Sequence, residues 1–266
     1  MNRPWILRLA PEVLRGRLWY RFYRGRSGYE PLFDKAALSH ADGVSMYDLV
    51  VSDYISQCVA FLGVFEPWLS RRVRSLAAGD GKLLVDVGAN MGYFTLIWLA
   101  ANPCNRAVAF EPGGRNLQLL RKNLEQNSLA ESCSVHAKAC SNRTGIVSFD
   151  SGPDAQTGWG SIAVTDASRT TEVEAVTLDG QFDGSETIDL LKIDTEGADF
   201  LVLQGAEGLL RAKRVRNIYF EMNIPGLRAL GSGPDDVLRF LDAVGYRYAC
   251  VDAPGRPVST WYAHPV

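Results

Sequence analysis

Short apolar runs alternate with helical stretches through most of the chain after residue 82. A short apolar run reads as a buried strand, and apolar residues at three- and four-residue spacing indicate a helix packed on a sheet. In chain order the alternating segments are 83–87, 93–101, 107–110, 116–126, 134–139, 188–193, 200–210, 215–220 and 234–244. This alternation predicts a doubly wound α/β domain, with a parallel sheet covered by helices on both faces.

Other segments depart from this rhythm. Residues 145–149 and 172–178 read as extra strands, and residues 246–251 and 258–263 flank a Pro-Gly turn, which predicts a C-terminal hairpin. The first 78 residues are predicted to be mainly helical. We therefore predict two parts, an N-terminal helical extension over 1–78 and the α/β domain over 79–266.

The first 26 residues carry seven Arg and one acid, Glu12. Their apolar residues recur at helical spacing, which predicts an amphipathic helix that covers the core of its own domain. Contact with a membrane surface or another anionic partner stays open as an alternative. No apolar run is long enough to predict a membrane span or a cleavable secretory signal.

Composition places the chain among ordinary globular proteins, with 266 residues of which 47% are hydrophobic. Its 28 basic and 30 acidic residues give a net charge of −2, from which we expect no nucleic-acid partner. The five cysteines have no metal-ligand spacing and predict free thiols in the cytoplasm.

A glycine-containing turn follows the first predicted strand of the sheet. Gly88 and Gly92 permit close backbone approach at the crevice where open α/β sheets bind ligands. Asn90 stands where a dinucleotide would need bare backbone for its pyrophosphate. The turn therefore predicts a nucleoside without phosphates, and it disfavours an NAD-linked oxidoreductase.

Two acids add to this turn. Glu111 ends the second strand at the distance from the turn at which an acid accepts hydrogen bonds from both ribose hydroxyls. Asp86 is placed to hold an ammonium group. A nucleoside with a cationic amino-acid tail fits these features, so we predict S-adenosylmethionine (SAM) as the cofactor, with backbone contacts to its adenine at Ala139 and Cys140.

Carboxylates also cluster at the end of the fourth strand. Asp194 and Glu196 lie two residues apart, and clustered acids raise one another's proton affinity, which can produce a general base. We predict Asp194 and Glu196 as the catalytic pair; in one alternative Asp194 binds the SAM ammonium and Glu196 is the base or a substrate contact. Glu221 and Asn223, after the fifth strand, and Trp159, on an insertion, are predicted substrate contacts.

These motifs together resemble the FkbM family of SAM-dependent methyltransferases. The matching blocks are Val-Asp-Val-Gly-Ala-Asn-Met-Gly-Tyr-Phe-Thr at 85–95, Phe-Glu-Pro at 110–112 and Leu-Lys-Ile-Asp-Thr-Glu-Gly-Ala-Asp at 191–199. Thr195 and Asp199 depart from the usual pattern. The resemblance spans about residues 48–223 and implies a Rossmann-like class I methyltransferase sheet, with O-methylation of a hydroxyl on a sugar, glycan or polyketide-like small molecule.

Three alternatives remain at this point. Asp194, Glu196 and Glu221 could form a Mg²⁺ site in a divalent-metal-dependent O-methyltransferase, although no spacing rule supports one and we predict no metal ligand. A SAM-binding protein without catalysis is the second alternative, and the NAD-linked enzyme is the third. The acceptor, predicted to be a small molecule or glycan, is not identified by the sequence, and neither is the oligomeric state.

Overall fold

The computed structural model describes residues 3–24, 28–152, 156–158, 160–162, 170–182, 185–252 and 255–266. Its strands are β1 (Lys35–Ala37), β2 (Ser45–Tyr47), β3 (Leu83–Val87), β4 (Arg106–Phe110), β5 (Cys133–His136), β6 (Ala139–Cys140), β7 (Gly145–Asp150), β8 (Thr170–Val176), β9 (Leu190–Ile193), β10 (Ile218–Asn223), β11 (Tyr246–Cys250) and β12 (Val258–Pro265).

The α-helices are α1 (Trp5–Leu9), α2 (Glu12–Phe22), α3 (Pro31–Asp34), α4 (Tyr54–Gln57), α5 (Pro67–Ala77), α6 (Tyr93–Ala101), α7 (Gly114–Gln126), α8 (Asp199–Gln204), α9 (Glu207–Arg211), α10 (Ile224–Ala229) and α11 (Pro234–Ala243). A π-helical turn, Cys58–Leu62, follows α4, and a 3₁₀ turn, Ala130–Ser132, precedes β5.

A seven-stranded sheet forms the centre, in the order β5-β4-β3-β9-β10-β12-β11. All strands run parallel except β12, which is antiparallel to both of its neighbours. This arrangement confirms the predicted doubly wound sheet with a C-terminal hairpin. Because β3 and β9 are neighbours at the point where the strand order reverses, their carboxyl ends border the crevice in which such sheets bind ligands.

Alternate residues of the strands enter two hydrophobic clusters, one on each face of the sheet. Leu84 packs with α6 and the N-terminal extension, whereas Leu83 and Val85 pack with α8, α9 and α11. Leu7 of α1 and Trp19 of α2 are buried in the first cluster. The extension thus shares the core of the sheet domain, and the boundary at residues 78 and 79 stays a prediction.

A second, three-stranded sheet lies between β5 and β9 in the chain, in the order β6-β8-β7. It contains both predicted extra strands. The predicted strand 134–139 is divided, because the chain leaves the edge of the main sheet after His136 and pairs again at Ala139, where β6 runs beside β8.

Other predicted elements also differ from the structure. The helix predicted over 200–210 is broken into α8 and α9 at Gly205, where a Cβ atom would overlap the backbone oxygen of Ser141. In the extension, predicted to be mainly helical, the helix that begins at Tyr54 passes into the π-helical turn and a new helix starts only at Pro67. Strand β10 is shifted along the chain from the predicted 215–220, since it runs from Ile218 to Asn223, and the short antiparallel pair β1–β2 was not predicted. Within the described ranges no helix is both long and apolar enough to cross a membrane.

Candidate functional site

The turn between β3 and α6 lies directly against the end of β9. Gly88 has φ +74°, and a Cβ atom there would overlap the backbone oxygen of Asp194. The glycine therefore allows the carboxyl ends of two neighbouring strands to meet without a side chain between them. Gly92 precedes the first residue of α6 and packs beneath the turn, where a Cβ atom would meet Leu120.

Glu111 follows β4 and joins this turn to the next one. Its Oε2 accepts a hydrogen bond of 2.8 Å from the Asn90 N–H, and its Oε1 accepts one of 2.8 Å from the Gly113 N–H. Burial raises the pKa of Glu111 to about 7. A carboxylate oxygen can accept more than one hydrogen bond, so both Glu111 oxygens can also accept one from a ligand hydroxyl. The Asn90 Oδ1 is buried and has no hydrogen-bond partner among the described residues.

A buried lysine on β9, Lys192, lies between two carboxylates. Its Nζ is 3.2 Å from Asp194 Oδ2 and 3.7 Å from Asp86 Oδ1, and it lies 5.0 Å from the centre of the Phe94 ring. Burial alone would lower the pKa of Lys192, but the charges of Asp194 and Asp86 raise it above its ordinary value. The lysine is therefore charged, and it holds Asp194 toward β3.

Asp86 lies beneath the floor of the cleft. Its Oδ2 accepts a 2.7 Å hydrogen bond from Thr95 Oγ1 on α6, and its side chain is 1% exposed. These contacts orient it toward Lys192. Its predicted role as the ammonium partner of SAM stays a prediction, and Asp194 is the carboxylate of this pair that borders the cleft.

The loop after β9 brings several acids together. Asp199 is buried, accepts hydrogen bonds from Thr195 N (3.1 Å) and Thr195 Oγ1 (2.6 Å), and accepts a third from Glu221 N (2.7 Å). Its carboxylate thus ties the loop to β10. It fixes the positions of Glu196 and Glu221, whose side chains border the cleft beside Asp194.

The two glutamates hold protons more tightly than ordinary glutamates. Burial, followed by the charges of Asp194 and Asp199, raises the pKa of Glu196 to about 7. Burial and the same aspartates, with Glu196, raise the pKa of Glu221 above that of an ordinary carboxyl group. Both shifts have the same direction, so each glutamate gives up its proton at a higher pH than an ordinary carboxyl group does.

These groups surround one cleft of about 1240 Å³, a volume that includes the open space at its mouth. The predicted residues that line it are Gly88, Asn90, Glu111, Ala139, Cys140, Asp194, Glu196 and Glu221. Asn223 accepts a hydrogen bond from Gly226 N (3.0 Å) at the start of α10, and its Nδ2 is 3.4 Å from Glu221 Oε2. Trp159 lies outside the described residues.

Sequence reasoning missed part of the cleft wall. Tyr54, Phe65 and Glu66 come from the N-terminal extension, and Thr157 comes from the insertion between β7 and β8. Thr157 is held by Asp53, whose Oδ1 accepts hydrogen bonds from its N–H (2.9 Å) and its hydroxyl (3.0 Å). No local sequence motif predicts these contacts. Lys192 did carry a signal, since it is a charged residue inside an apolar strand.

Within the described ranges, no three His, Cys, Asp or Glu side chains are grouped so that they could hold a metal ion.

The turn after β3 carries Asn90 where a dinucleotide would need bare backbone for its pyrophosphate, and Glu111 follows β4. Together with the strand order of the sheet, these features define a SAM-dependent methyltransferase. The methyltransferase FkbM domain matches residues 86–248, and the chain belongs to that family. Family membership confirms the resemblance and the SAM cofactor, and it removes the NAD-linked alternative.

Curated relatives are similar over a shorter stretch. The tRNA wybutosine-synthesizing protein 2 homolog of Rattus norvegicus is 32% identical over 133 residues, which are 48% of this chain and 29% of that protein. The homolog of Macaca fascicularis is 34% identical over 105 residues, 40% of this chain and 22% of that protein. The chain therefore matches less than a third of the length of these relatives.

Solved structures show more distant likenesses. A precorrin-6y C5,15-methyltransferase from Geobacter metallireducens is 14% identical, with a TM-score of 0.45 over 76% of this chain and 90% of that one. The human methyltransferase 10 domain containing protein is 14% identical, with a TM-score of 0.41 over 74% of this chain and 80% of that one. The fold is therefore assigned from the strand order of the main sheet and not from these likenesses.

The partner prediction, a small-molecule or glycan acceptor and no nucleic acid, is wrong in excluding nucleic acid. Both curated relatives carry tRNA in their names. The physical reason is that a net charge sums the whole chain and does not describe local surfaces. The −2 total includes an N-terminal stretch in which Arg outnumbers acids.

Proposed function

We propose that this methyltransferase transfers the methyl group to a hydroxyl oxygen of its acceptor, with hydroxyls of a sugar, glycan or polyketide-like molecule as the candidate class. One observation carries the proposal. Glu196 and Glu221, two glutamates with raised pKa values, border the donor cleft beside Asp194. An alcohol is a weak nucleophile and needs a base within hydrogen-bond reach.

The residues around the glycine turn fit the donor. We assign the ribose hydroxyls to Glu111, which accepts backbone hydrogen bonds with both oxygens and still borders the cleft. The unpartnered Asn90 Oδ1 supplies a further acceptor, and Ala139 and Cys140 form the adenine wall. When bound, SAM supplies an electrophilic methyl group on a positively charged sulfur.

Asp194 and Glu196 then divide two tasks. Asp194, whose Oδ2 lies 3.2 Å from Lys192 Nζ, places a carboxylate near the donor. Glu196 accepts the hydroxyl proton as the oxygen–methyl bond forms and the carbon–sulfur bond breaks. Glu221 keeps its own proton and donates a hydrogen bond to the acceptor, and Asn223 orients it. Positioning of the hydroxyl in line with the methyl group contributes much of the rate.

The test follows a labelled methyl group. The protein is incubated with SAM that carries an isotope-labelled methyl group and with pooled neutral oligosaccharides, small polyhydroxylated metabolites or unfractionated tRNA, and products are read by mass spectrometry. We expect label on oxygen. Label on nitrogen or carbon alone, or no label in any pool, contradicts the proposal.

A matched pair of variants tests the base. Glu196→Gln is expected to lower turnover by about 10²-fold or more, the range of general-base catalysis, with SAM affinity kept within a few-fold. The control is Glu125→Gln, an exposed glutamate of α7 outside the cleft, which should leave turnover unchanged. Equal turnover in both variants would remove Glu196 from the mechanism.

A second candidate is methylation of a tRNA, which the names of the curated relatives favour. The tRNA pool in the same experiment decides between the two acceptors. Transfer to tRNA with none to the other pools would make RNA the acceptor.

The five cysteines are unpaired, which supports the cytoplasm as the compartment we propose.

A further inference from the structure

Part of the donor cleft is built by the N-terminal extension, ahead of the residues that match the family. Tyr54 lies at the start of α4, and Phe65 and Glu66 immediately precede α5. All three border the same cleft as Asp194 and Glu196. The extension is therefore a wall of the site as well as a cover for the core.

Glu66 has a backbone conformation that its own helix does not explain. Its φ is +43° and its ψ +69°, in the left-handed region that disfavours residues with a Cβ atom. Its carbonyl accepts the Ser70 N–H at 2.9 Å, a bond that glycine would make equally well. Strained residues of this kind concentrate at functional sites.

The carboxylate of Glu66 is available to a ligand. Within the described part of the chain it receives no hydrogen bond, although it borders the cleft. The residue is exposed, so its carboxylate keeps contact with solvent at the edge of the cleft, where Asp194 and Lys192 act on it electrostatically. Glu66 thus lies within electrostatic reach of the carboxylates at the reacting end.

Two aromatic rings adjoin this carboxylate. The rings of Tyr54 and Phe65 meet edge to face with centroids 6.3 Å apart, and Tyr54 is 56% exposed. An apolar aromatic surface beside a free hydrogen-bond acceptor suits a ring that has an apolar face and hydroxyl groups at its edge.

We propose that Tyr54, Phe65 and Glu66 form an acceptor subsite that takes a sugar ring. The apolar face of the ring packs against Tyr54 and Phe65, and one of its hydroxyls donates a hydrogen bond to Glu66. This inference rests on the proposed transfer to a hydroxyl. The ring belongs to an oligosaccharide or to the ribose of an RNA, two sources that share this chemistry.

The test compares Glu66→Gln and Glu66→Gly with the wild type, using neutral oligosaccharides in one arm and unfractionated tRNA in the other. In the arm that the wild type methylates, both variants should raise the half-saturating acceptor concentration about tenfold, the loss expected for a hydrogen bond to a charged group. The SAM dissociation constant should change less than about threefold, because the donor contacts are elsewhere.

Thermal unfolding separates the subsite from a structural role. Glu66→Gly should unfold at a higher temperature than the wild type, because glycine relieves the left-handed strain while removing the carboxylate. Ser128→Gly is the matched control, since Ser128 has φ +57° outside the cleft. Ser128→Gly should also raise the unfolding temperature, and it should leave the half-saturating acceptor concentration unchanged.

Three results would overturn the inference. In the first, the wild type is active and Glu66→Gln has the same half-saturating acceptor concentration as the wild type, which leaves the proposed function intact. Another is a tenfold loss of SAM affinity in that variant, which would assign Glu66 to the donor. The third is a wild type that methylates a hydroxyl in neither arm, which removes the sugar-ring subsite, whereas transfer to a hydroxyl of the small polyhydroxylated metabolites would leave the proposed function intact.

Discussion

The acidic side chains of this site are held by ion pairs and hydrogen bonds with buried neighbouring residues. Lys192 is 4% exposed and lies within 3.7 Å of both Asp86 and Asp194, so none of the three charges is buried alone. Asp199 acts similarly through hydrogen bonds to Thr195 and Glu221. The groups that border the cleft are therefore held in place by groups beneath it.

Glu111 gives the most direct prediction at this scale. Glu111→Ala should weaken SAM binding by about 1–3 kcal/mol, because the ribose hydroxyls lose their acceptor. Calorimetric titration measures the change. Glu131→Ala, in the 3₁₀ turn before β5 and outside the cleft, is the control. Unchanged SAM affinity in Glu111→Ala would contradict the donor assignment.

Whole elements were predicted well where the hydrophobic period alone decides them. Strand β3 and helix α6 begin and end where the pattern placed them, because both are bounded by sharp changes in apolar content. The predicted helix 200–210 failed at Gly205, where contact with Ser141 requires a break that no local pattern carries. The part of the cleft formed by the strand ends of the main sheet was predicted, because glycines and acids in the local sequence mark it.

The rest of the cleft could not be predicted for a physical reason. Tyr54, Glu66 and Thr157 reach it through tertiary contacts across long stretches of sequence, such as the hydrogen bonds between Asp53 and Thr157. Their local sequences carry no catalytic motif. Contacts of this type depend on how the elements pack, and single-sequence periodicity does not describe packing.

The break between α8 and α9 can be tested by substitution. Gly205→Ala should lower the free energy of unfolding by about 1–3 kcal/mol, because the added methyl group overlaps the Ser141 backbone oxygen. Gly114→Ala is the matched control, since nothing lies within 4 Å of its Cβ position at the start of α7. Chemical denaturation that ranks the two variants equally would contradict the close approach.

At the scale of the whole molecule, raised carboxyl pKa values couple folding to pH. Burial raises the pKa of Glu196 to about 7 from an ordinary value of 4.5, so the folded protein binds this proton more tightly than the unfolded chain does. Its contribution to stability is present below about pH 4.5 and is lost as the pH rises through about 7. Glu111 acts in the same direction.

The difference between two variants isolates this effect. Relative to the wild type, Glu196→Gln should gain thermal stability as the pH rises from about 5 to about 8, because glutamine has no charge to bury. Glu125→Gln should differ from the wild type by a constant amount over this range. Unfolding temperatures measured at each pH provide the check, and a flat profile for Glu196→Gln would contradict the raised pKa.

The N-terminal extension and the sheet share a hydrophobic cluster and a cleft. Leu7 and Trp19 enter the same hydrophobic cluster as Leu84 of β3, and Tyr54 and Glu66 border the same cleft as Asp194. The family match begins at residue 86, after these contributions. Acceptor choice is thus expected to differ among family members where this extension differs.

A crystal structure of the protein with S-adenosylhomocysteine, the demethylated cofactor, tests the central claim most directly. We expect the ribose hydroxyls within hydrogen-bond distance of Glu111, the adenine beside Ala139 and Cys140, and the sulfur facing Asp194 and Glu196. A ligand bound outside this cleft, or a sulfur that faces away from the carboxylates after β9, would contradict the account.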